Sequence, residues 1–281
     1  NGIKRPIMVF ATGLGKTFTA TTIAERFNKI LWITHTEELI EQSAGVIKEQ
    51  SGIAPGIIKQ EKLQINGKYT VASIQTLWRR LDKIPSNHFD LIIVDECDLA
   101  MARTWANAID HFDSKLVLGL TATPERADGM SLGQLFDKIV IEKDIKFGID
   151  NKYLCELDAI RIKTGLSLDS VRTTAGELNQ KDLRLIDIPE RNNLIVQKWK
   201  EYAIDRPTLA FCVDVQHAMN LNQAFLDQGI KSSFVVADQQ LCPNRKERMA
   251  AFKAREIDVM INVSILTAGY DYANIGAIVN A

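Results

Sequence analysis

Residues 7–17, IMVFATGLGKT, decide the fold of this chain. The apolar residues Ile7–Phe10 favour a β-strand and run directly into a loop with two glycines. The residues after the loop, Phe18–Phe27, have the apolar spacing of a helix. Glycines in such a loop let successive backbone N–H groups point inward, where they can bind phosphate oxygens in front of a helix. A strand, a glycine-rich loop and a helix in this order predict a nucleotide-binding α/β domain.

The loop supplies the predicted contacts to the nucleotide. We expect Lys16 to reach the β- and γ-phosphates, and the hydroxyl of Thr17 to join a Mg²⁺ shell. The predicted phosphate-binding residues are Ala11, Thr12, Gly13, Leu14, Gly15, Lys16 and Thr17.

Two carboxylates follow the apolar run Leu91–Val94. The carboxyl ends of parallel strands meet at one edge of a sheet, so we expect Asp95 and Glu96 to lie beside the phosphate loop. Asp95 can hold Mg²⁺, usually through water, and Glu96 can polarise an attacking water as a general base. Together with Lys16, Glu96 is therefore a predicted catalytic residue, and the expected cofactors are ATP and Mg²⁺.

Short β-rich runs alternate with stretches of helical periodicity through the first half of the chain. This alternation predicts a parallel sheet covered by helices. The predicted strands are Ile7–Phe10, Ile30–Thr34, Tyr69–Ser73, Leu91–Val94 and Leu116–Leu120, and the predicted helices are Phe18–Phe27, Glu37–Lys48 and Ile74–Leu81.

The segment Ile141–Arg191 interrupts the alternation, because it is polar and contains several glycines. A second alternation then begins, with predicted strands at Thr208–Val213, Ser232–Val236, Ile257–Asn262 and Gly276–Asn280 and predicted helices at Val215–Gln228 and Arg245–Ala254. We therefore expect two α/β lobes, residues 1–142 and 193–281, the second incomplete, joined by a connector at 143–192.

The composition limits the class of protein. Among 281 residues, 46% are hydrophobic, 25% are charged and the formal net charge is −1, which argues against a wholly basic nucleic-acid-packaging protein. A neutral chain can still hold a nucleic-acid strand in a local groove. The four cysteines form no CxxC pair, which argues against a zinc site and against a disulfide framework. It favours a reducing compartment. Since no apolar run has the length of a bilayer span, we expect a cytoplasmic protein without a membrane partner.

The loop and the residues Asp-Glu-Cys-Asp at 95–98 resemble those of the DEAD/DEAH-box helicases of superfamily 2. The general Walker A pattern has Gly where this chain has Phe10, and A-T-G-x-G-K-T is instead the helicase form of the loop. The resemblance is nearest to the branch that shares the helicase domain of type I and III restriction enzymes. Further segments resemble the family's motifs in order: Leu31–Ser43 motif Ia, Val71–Leu77 motif Ib, Leu118–Asp128 motif III, Thr208–Val213 motif IV and Ile265–Asp271 motif V.

The resemblance implies a nucleic-acid motor built from two RecA-like P-loop lobes, each a mainly parallel sheet flanked by helices. ATP would bind between the lobes, and closure and reopening would step them along a strand. Thr121, Ala122 and Thr123 would couple the nucleotide site to the nucleic-acid site. Asp98 would be hydrogen-bonded to the hydroxyls of the two threonines. The implied nucleic-acid contacts are His35, Thr36, Gln75, Thr76 and Thr267, and Gly269 and Asp271 would face the nucleotide from the second lobe.

Several positions depart from the family pattern. Close relatives carry Arg where this chain has Thr36, so we expect one charged phosphate contact fewer. The family's adenine-recognising Gln would precede Asn1, and motif VI with its arginine finger would follow Ala281. Because an arginine finger contributes several orders of magnitude in rate, we expect residues 1–281 to bind ATP and Mg²⁺ but to hydrolyse ATP poorly.

Several functions remain open at this point. The leading one is an ATP-dependent helicase or translocase, acting on DNA rather than RNA, with a nuclease or recognition domain outside this chain. A restriction-type subunit that moves along duplex without separating strands, and a nucleotide-gated clamp, are the alternatives, although Glu96 argues against the clamp. A GTPase is disfavoured because residues 179–182, Asn-Gln-Lys-Asp, have the wrong order for a guanine reader. A metal-dependent nuclease would need further carboxylates or a Lys beside Asp95 and Glu96.

Overall fold

The chain divides into two compact units, Asn1–Asp158 and Ala159–Ala281. The computed structural model describes residues 2–35, 37–100, 103–123, 133, 135–163, 173–174, 177–178, 186–266, 272 and 274–281. The two units meet at residue 158 of the chain. The lobes at 1–142 and 193–281 and the connector at 143–192 remain a prediction from the sequence.

The first unit is built on an eight-stranded sheet with the order β4-β3-β5-β2-β6-β7-β1-β8. Its strands are β1 (Pro6–Phe10), β2 (Ile30–Thr34), β3 (Gly56–Lys59), β4 (Lys62–Leu63), β5 (Tyr69–Ser73), β6 (Leu91–Val94), β7 (Leu116–Thr121) and β8 (Lys138–Lys143). All neighbouring pairs are parallel except β3 with β4. The helices are α1 (Lys16–Ala24), α2 (Glu37–Ser51), α3 (Ile74–Leu77), α4 (Arg103–Asp110) and α5 (Ile145–Asp150), with 3₁₀ turns at Trp78–Lys83 and Cys97–Leu99.

The central strands are mostly apolar and almost completely buried, because both faces of the sheet are covered. Alternate residues enter opposite cores: Leu31 and Ile33 of β2 pack in one core with Trp105 of α4, whereas Ile30 and Trp32 pack in the other with α1 and α2. A parallel sheet buried in this way places the loops after β1, β2, β5, β6 and β7 along one edge.

The second unit contains a four-stranded parallel sheet with the order β12-β13-β11-β14. Its strands are β11 (Thr208–Phe211), β12 (Ser232–Val235), β13 (Val259–Asn262) and β14 (Ala277–Asn280), and its helices are α6 (Pro189–Tyr202), α7 (Val215–Asp227) and α8 (Arg245–Lys253). A separate antiparallel pair consists of β9 (Thr173–Thr174) and β10 (Glu177–Leu178). Helices α6 and α7 cover one face of the four-stranded sheet through Trp199 and Phe225, and α8 covers the other through Phe252.

The fold class predicted from the sequence, α/β with mainly parallel sheets flanked by helices, is confirmed. The segment 141–191, predicted from the sequence as a connector with elements of its own, contains residues of two elements that pack with the sheets. Strand β8 runs to Lys143 and pairs with β1, so it belongs to the first sheet, and α6 begins at Pro189 and packs in the second core. Among the described residues, no helix is both long and apolar enough to span a membrane.

Candidate nucleotide-binding site

The loop after β1 has the curl that the glycines predicted. Gly13 and Gly15 have φ of +86° and +75°, a region that disfavours residues with a Cβ atom. The N–H of Leu14 donates to the carbonyl of Ala11 at 3.1 Å, and α1 starts directly at Lys16. The N-cap Gly15 has no side chain to cap the helix, so the first-turn N–H groups of α1 are available to an anion. The loop therefore has the geometry of a phosphate site.

Lys16 and the acidic turn after β6 come together at this loop. Lys16 Nζ lies 3.7 Å from Glu96 Oε1, and their side chains are 12% and 34% exposed. Glu96 has a positive φ of 48°, a strained conformation for a residue with a side chain. Burial raises the pKa of the Glu96 carboxyl, although Lys16 opposes this shift. The two predicted catalytic side chains are therefore direct neighbours.

Asp95 is the buried member of the acidic turn, with 6% exposure. Its carboxylate accepts hydrogen bonds from Trp32 Nε1 at 3.4 Å and from the N–H of Glu96 at 3.2 Å. These two bonds are long for a charged acceptor, and burial raises the pKa of Asp95. A carboxylate compensated this weakly is suited to a cation.

The donor set fits Mg²⁺ bound together with a nucleotide. Among the described residues, no group of three or more His, Cys, Asp or Glu side chains is placed to hold a metal alone. Mg²⁺ in nucleotide sites is held by one or two protein oxygens and by phosphate oxygens. Asp95 and the Thr17 hydroxyl are oxygen donors of this kind at the same edge of the sheet. When bound, the ion neutralises phosphate charge.

Asp98 connects the acidic turn to the end of β7. Asp98 Oδ1 accepts a hydrogen bond from Thr121 Oγ1 at 2.7 Å, and its Oδ2 accepts one from Thr123 Oγ1 at 3.3 Å. Thr121 Oγ1 also accepts from the N–H of Thr123 at 3.1 Å, which fixes the backbone around Ala122. The predicted hydrogen bonds of Asp98 to both threonines are therefore present.

Cys97 is a packing residue and not a nucleophile. Its side chain is completely buried, and burial raises the pKa of the thiol, which therefore stays protonated. A Cβ atom on Gly119 of β7 would lie 3.0 Å from Cys97 Sγ and 2.8 Å from Phe136. The absent side chain at Gly119 allows the acidic turn to pack against β7.

Three of the predicted nucleic-acid residues meet at the ends of β2 and β5. Gln75 Nε2 donates to the backbone carbonyl of His35 at 2.8 Å, and Ser73 caps α3 by accepting from the N–H of Thr76 at 3.4 Å. The ring of His35 stacks on Trp105 with centroids 6.5 Å apart, and its buried Nδ1 has no hydrogen-bond partner. The other predicted contacts, Thr36 and Thr267, and the predicted nucleotide-facing Gly269 and Asp271 lie outside the described residues.

Comparison with known proteins agrees with this arrangement. Residues 1–126 match the family "Type III restriction enzyme, res subunit". The chain is 32% identical over 308 aligned positions to IRC3 of Saccharomyces cerevisiae, which is named as an ATP-dependent helicase, and the match covers 99% of this chain. These matches support placing the chain among the superfamily 2 helicases of the restriction-enzyme type.

Further similar proteins allow the length of this chain to be compared with theirs. It is 27% identical to the type I restriction enzyme EcoAI endonuclease subunit of Escherichia coli, over 81% of this chain. It spans only 44% of the length of IRC3 and 32% of the length of the EcoAI subunit. The helicase domain of Pyrococcus furiosus Hef shares the fold, with a TM-score of 0.65 and 14% identity over 98% of this chain and 86% of that one.

Sequence reasoning missed three side chains of the candidate site. Trp32 bonds Asp95, Trp105 supports His35, and Ser73 caps α3. A Ser directly before a helix is a recognisable N-cap signal, so Ser73 could have been found. The two tryptophans had no local signal, because each looks like an ordinary core residue in its own element.

Proposed function

We propose that the chain is the ATP-driven motor of a nucleic-acid helicase or translocase, acting on DNA. The observation that carries this proposal is the Lys16–Glu96 contact of 3.7 Å beside the glycine loop, with Asp95 buried next to it. Together they supply a phosphate ligand, a general base and a Mg²⁺ ligand.

The phosphates bind first to the loop and the start of α1. Their charge competes with Glu96 for the Lys16 ammonium, so Lys16 turns toward the β- and γ-phosphates and releases the carboxylate. Asp95 and Thr17 would hold Mg²⁺ together with phosphate oxygens.

The released Glu96 then activates water. Its carboxylate accepts a proton as the water oxygen bonds to the γ-phosphorus, and the bond from that phosphorus to the β–γ bridging oxygen breaks to leave ADP and phosphate. Partial burial raises the pKa of Glu96, which makes it a stronger base than an exposed carboxylate.

Asp98 transmits the state of the nucleotide to the strand-binding edge. It belongs to the same turn as Asp95 and Glu96, and it is bonded to both Thr121 and Thr123. His35, Gln75 and Thr76 contact the nucleic-acid backbone without reading bases, and Thr36 and Thr267 extend this contact. The proposal also includes Gly269 and Asp271 as contacts of the nucleotide.

DNA is favoured over RNA because the chain is similar to a restriction-endonuclease subunit. The same similarity favours one alternative, a subunit that moves along duplex without separating its strands. A nuclease or recognition domain outside these residues would complete either assembly. A reducing compartment such as the cytoplasm remains part of the proposal, on the basis of cysteines that form no CxxC pair in the sequence.

The central experiment compares nucleotide binding and hydrolysis in three proteins. Wild type is expected to bind Mg²⁺–ATP, Lys16→Ala to lose most of that affinity, and Glu96→Gln to keep affinity while losing turnover. Unchanged turnover in Glu96→Gln would overturn its role as base. A strand-displacement assay beside a triplex-displacement assay distinguishes unwinding from translocation on duplex.

A further inference from the structure

An aromatic pair lies just beyond the last strand of the first unit. Phe147 of α5 and Tyr153 stack with ring centroids 6.3 Å apart and an angle of 30° between the rings. Lys143 Nζ lies 3.8 Å from the centre of the Phe147 ring. Tyr153 is 69% exposed, so much of its ring surface is left open to solvent.

The segment that carries these rings is held against the phosphate loop. The N–H of Ala11 donates to the carbonyl of Lys143 at 2.8 Å. Leu154, the residue after Tyr153, lies so close to the loop that a Cβ atom on Gly13 would be 2.9 Å from its Cδ2. The rings are therefore attached to the loop on both sides of α5.

The turn that presents Tyr153 is itself well ordered. Asp144 caps α5 by accepting from the N–H of Phe147 at 2.7 Å. The N–H groups of Tyr153 and Leu154 both donate to the carbonyl of Gly148, at 2.8 Å and 3.0 Å. A Cβ atom on Gly148 would lie 2.5 Å from Leu154, so Gly148 permits the turn to fold back on the helix.

We propose that Phe147 and Tyr153 form a stacking platform for the base of the nucleotide whose phosphates the loop holds. This inference rests on the proposed nucleotide binding and adds the residues that receive the base. A base is joined to its phosphates by a single ribose and must therefore lie near the loop. Tyr153 offers a flat, exposed aromatic face anchored there.

Base stacking on the platform can be distinguished from phosphate binding by the choice of ligand. Stacking uses the face of a base and does not read the groups on its edge, so it serves adenine and guanine alike. The polyphosphate itself has no base and gains nothing from the rings. The structure thus separates two contributions, phosphate binding by the loop and base binding by Tyr153 with Phe147 behind it.

The test measures the affinities of residues 1–281 for ATP, GTP and inorganic tripolyphosphate, each with Mg²⁺, by isothermal titration calorimetry. Tyr153→Ala is expected to weaken the binding of ATP and of GTP by the same factor, about tenfold. Its affinity for tripolyphosphate is expected to stay within about twofold of wild type, because the loop is unchanged. Tyr153→Phe keeps the ring and is expected to restore the affinity for ATP.

Tyr202→Ala is the matched control, because Tyr202 is also exposed and also has a lysine, Lys198, near its ring, but lies in the second unit. Its affinities for all three ligands are expected to equal those of wild type. Unchanged ATP affinity in Tyr153→Ala would overturn the platform, as would an equal loss for ATP and tripolyphosphate. Wild type that binds no nucleotide would instead overturn the proposed function itself.

Discussion

Thr121 Oγ1 donates a hydrogen bond to Asp98 Oδ1 at 2.7 Å, and this bond joins the end of β7 to the acidic turn that follows β6. Thr121 is completely buried, so the bond lies where solvent cannot replace it. It connects the turn that carries Glu96 to the next loop along the same edge of the sheet.

Removing the Asp98–Thr121 hydrogen bond should uncouple nucleotide binding from nucleic-acid binding. In wild type, a non-hydrolysable ATP analogue is expected to change the affinity for single-stranded DNA by about five- to 150-fold, the usual range of coupling between two sites. In Asp98→Ala we expect this factor to fall close to one while the analogue still binds, because the loop and Lys16 are intact. Fluorescence anisotropy of labelled DNA, with and without the analogue, measures both quantities. Asp82→Ala, an exposed carboxylate elsewhere in the first unit, is the control, and an unchanged factor in Asp98→Ala would refute the coupling role.

Asp95 should reduce stability at neutral pH. Because burial raises the pKa of its carboxyl, ionisation of Asp95 is disfavoured in the folded state, and this opposes folding at pH 7. Asp95→Asn is expected to increase the free energy of unfolding by on the order of 1 kcal/mol and to weaken Mg²⁺–ATP binding. The gain in stability should shrink as the pH falls through the raised pKa, since the wild-type carboxyl is then neutral. Urea unfolding at pH 7 and pH 5 measures the difference.

Asp90→Asn is the matched control for Asp95→Asn, and we expect it to change the free energy of unfolding in the opposite direction. The hydrogen bond from Lys115 lowers the pKa of Asp90, with further bonds from the backbone N–H groups of Lys29 and Asn28. The charged form therefore stabilises the fold above the unfolded pKa, and its loss should decrease the free energy of unfolding at pH 7. Equal effects of the two substitutions would contradict the electrostatic assignment of Asp95.

Gly119 should tolerate no side chain. A Cβ atom there would lie 2.8 Å from Phe136 and 3.0 Å from Cys97, so Gly119→Ala is expected to destabilise the protein by about 1–3 kcal/mol. Gly45→Ala is the control, because Gly45 lies in α2 and a Cβ atom added there would have no other atom within 4 Å. That substitution should stabilise the protein by about 0.5–1 kcal/mol through helix propensity. Thermal and urea unfolding compare the two, and a Gly119→Ala variant as stable as wild type would show that β7 can shift.

His217 should make the second unit sensitive to acid. It is completely buried in α7, neither ring nitrogen has a hydrogen-bond partner, and burial lowers its pKa. The unfolded chain takes up a proton below about pH 6.5, whereas the folded chain resists it, so stability should fall as the pH drops below that value. His217→Gln is expected to flatten this decline of the free energy of unfolding in urea titrations between pH 7.5 and 5.5. The control His111→Gln is expected to show the same decline as wild type. A decline of the same slope in His217→Gln would assign the acid sensitivity to other groups.

Local sequence was most informative where an element is buried on both sides. The strands Ile30–Thr34, Tyr69–Ser73 and Leu91–Val94 have the predicted bounds, because each is a short β-rich run that is buried along its whole length. Helix ends differ by a few residues, as expected where capping competes with packing. Strand β8 and helix α4 were not predicted. Lys138–Lys143 depends on pairing with the distant β1, and the short α4 depends on the packing of Trp105.

The sequence by itself determined the phosphate loop, the two carboxylates after β6 and the alternation that makes a parallel sheet, because each is written in neighbouring residues. Only the tertiary structure decided that Lys16 meets Glu96, that Asp98 bonds Thr121, and that Leu154 packs against Gly13. Each of those contacts joins residues from separate strands or helices. Their distances depend on sheet order and side-chain packing, which no local stretch of sequence contains.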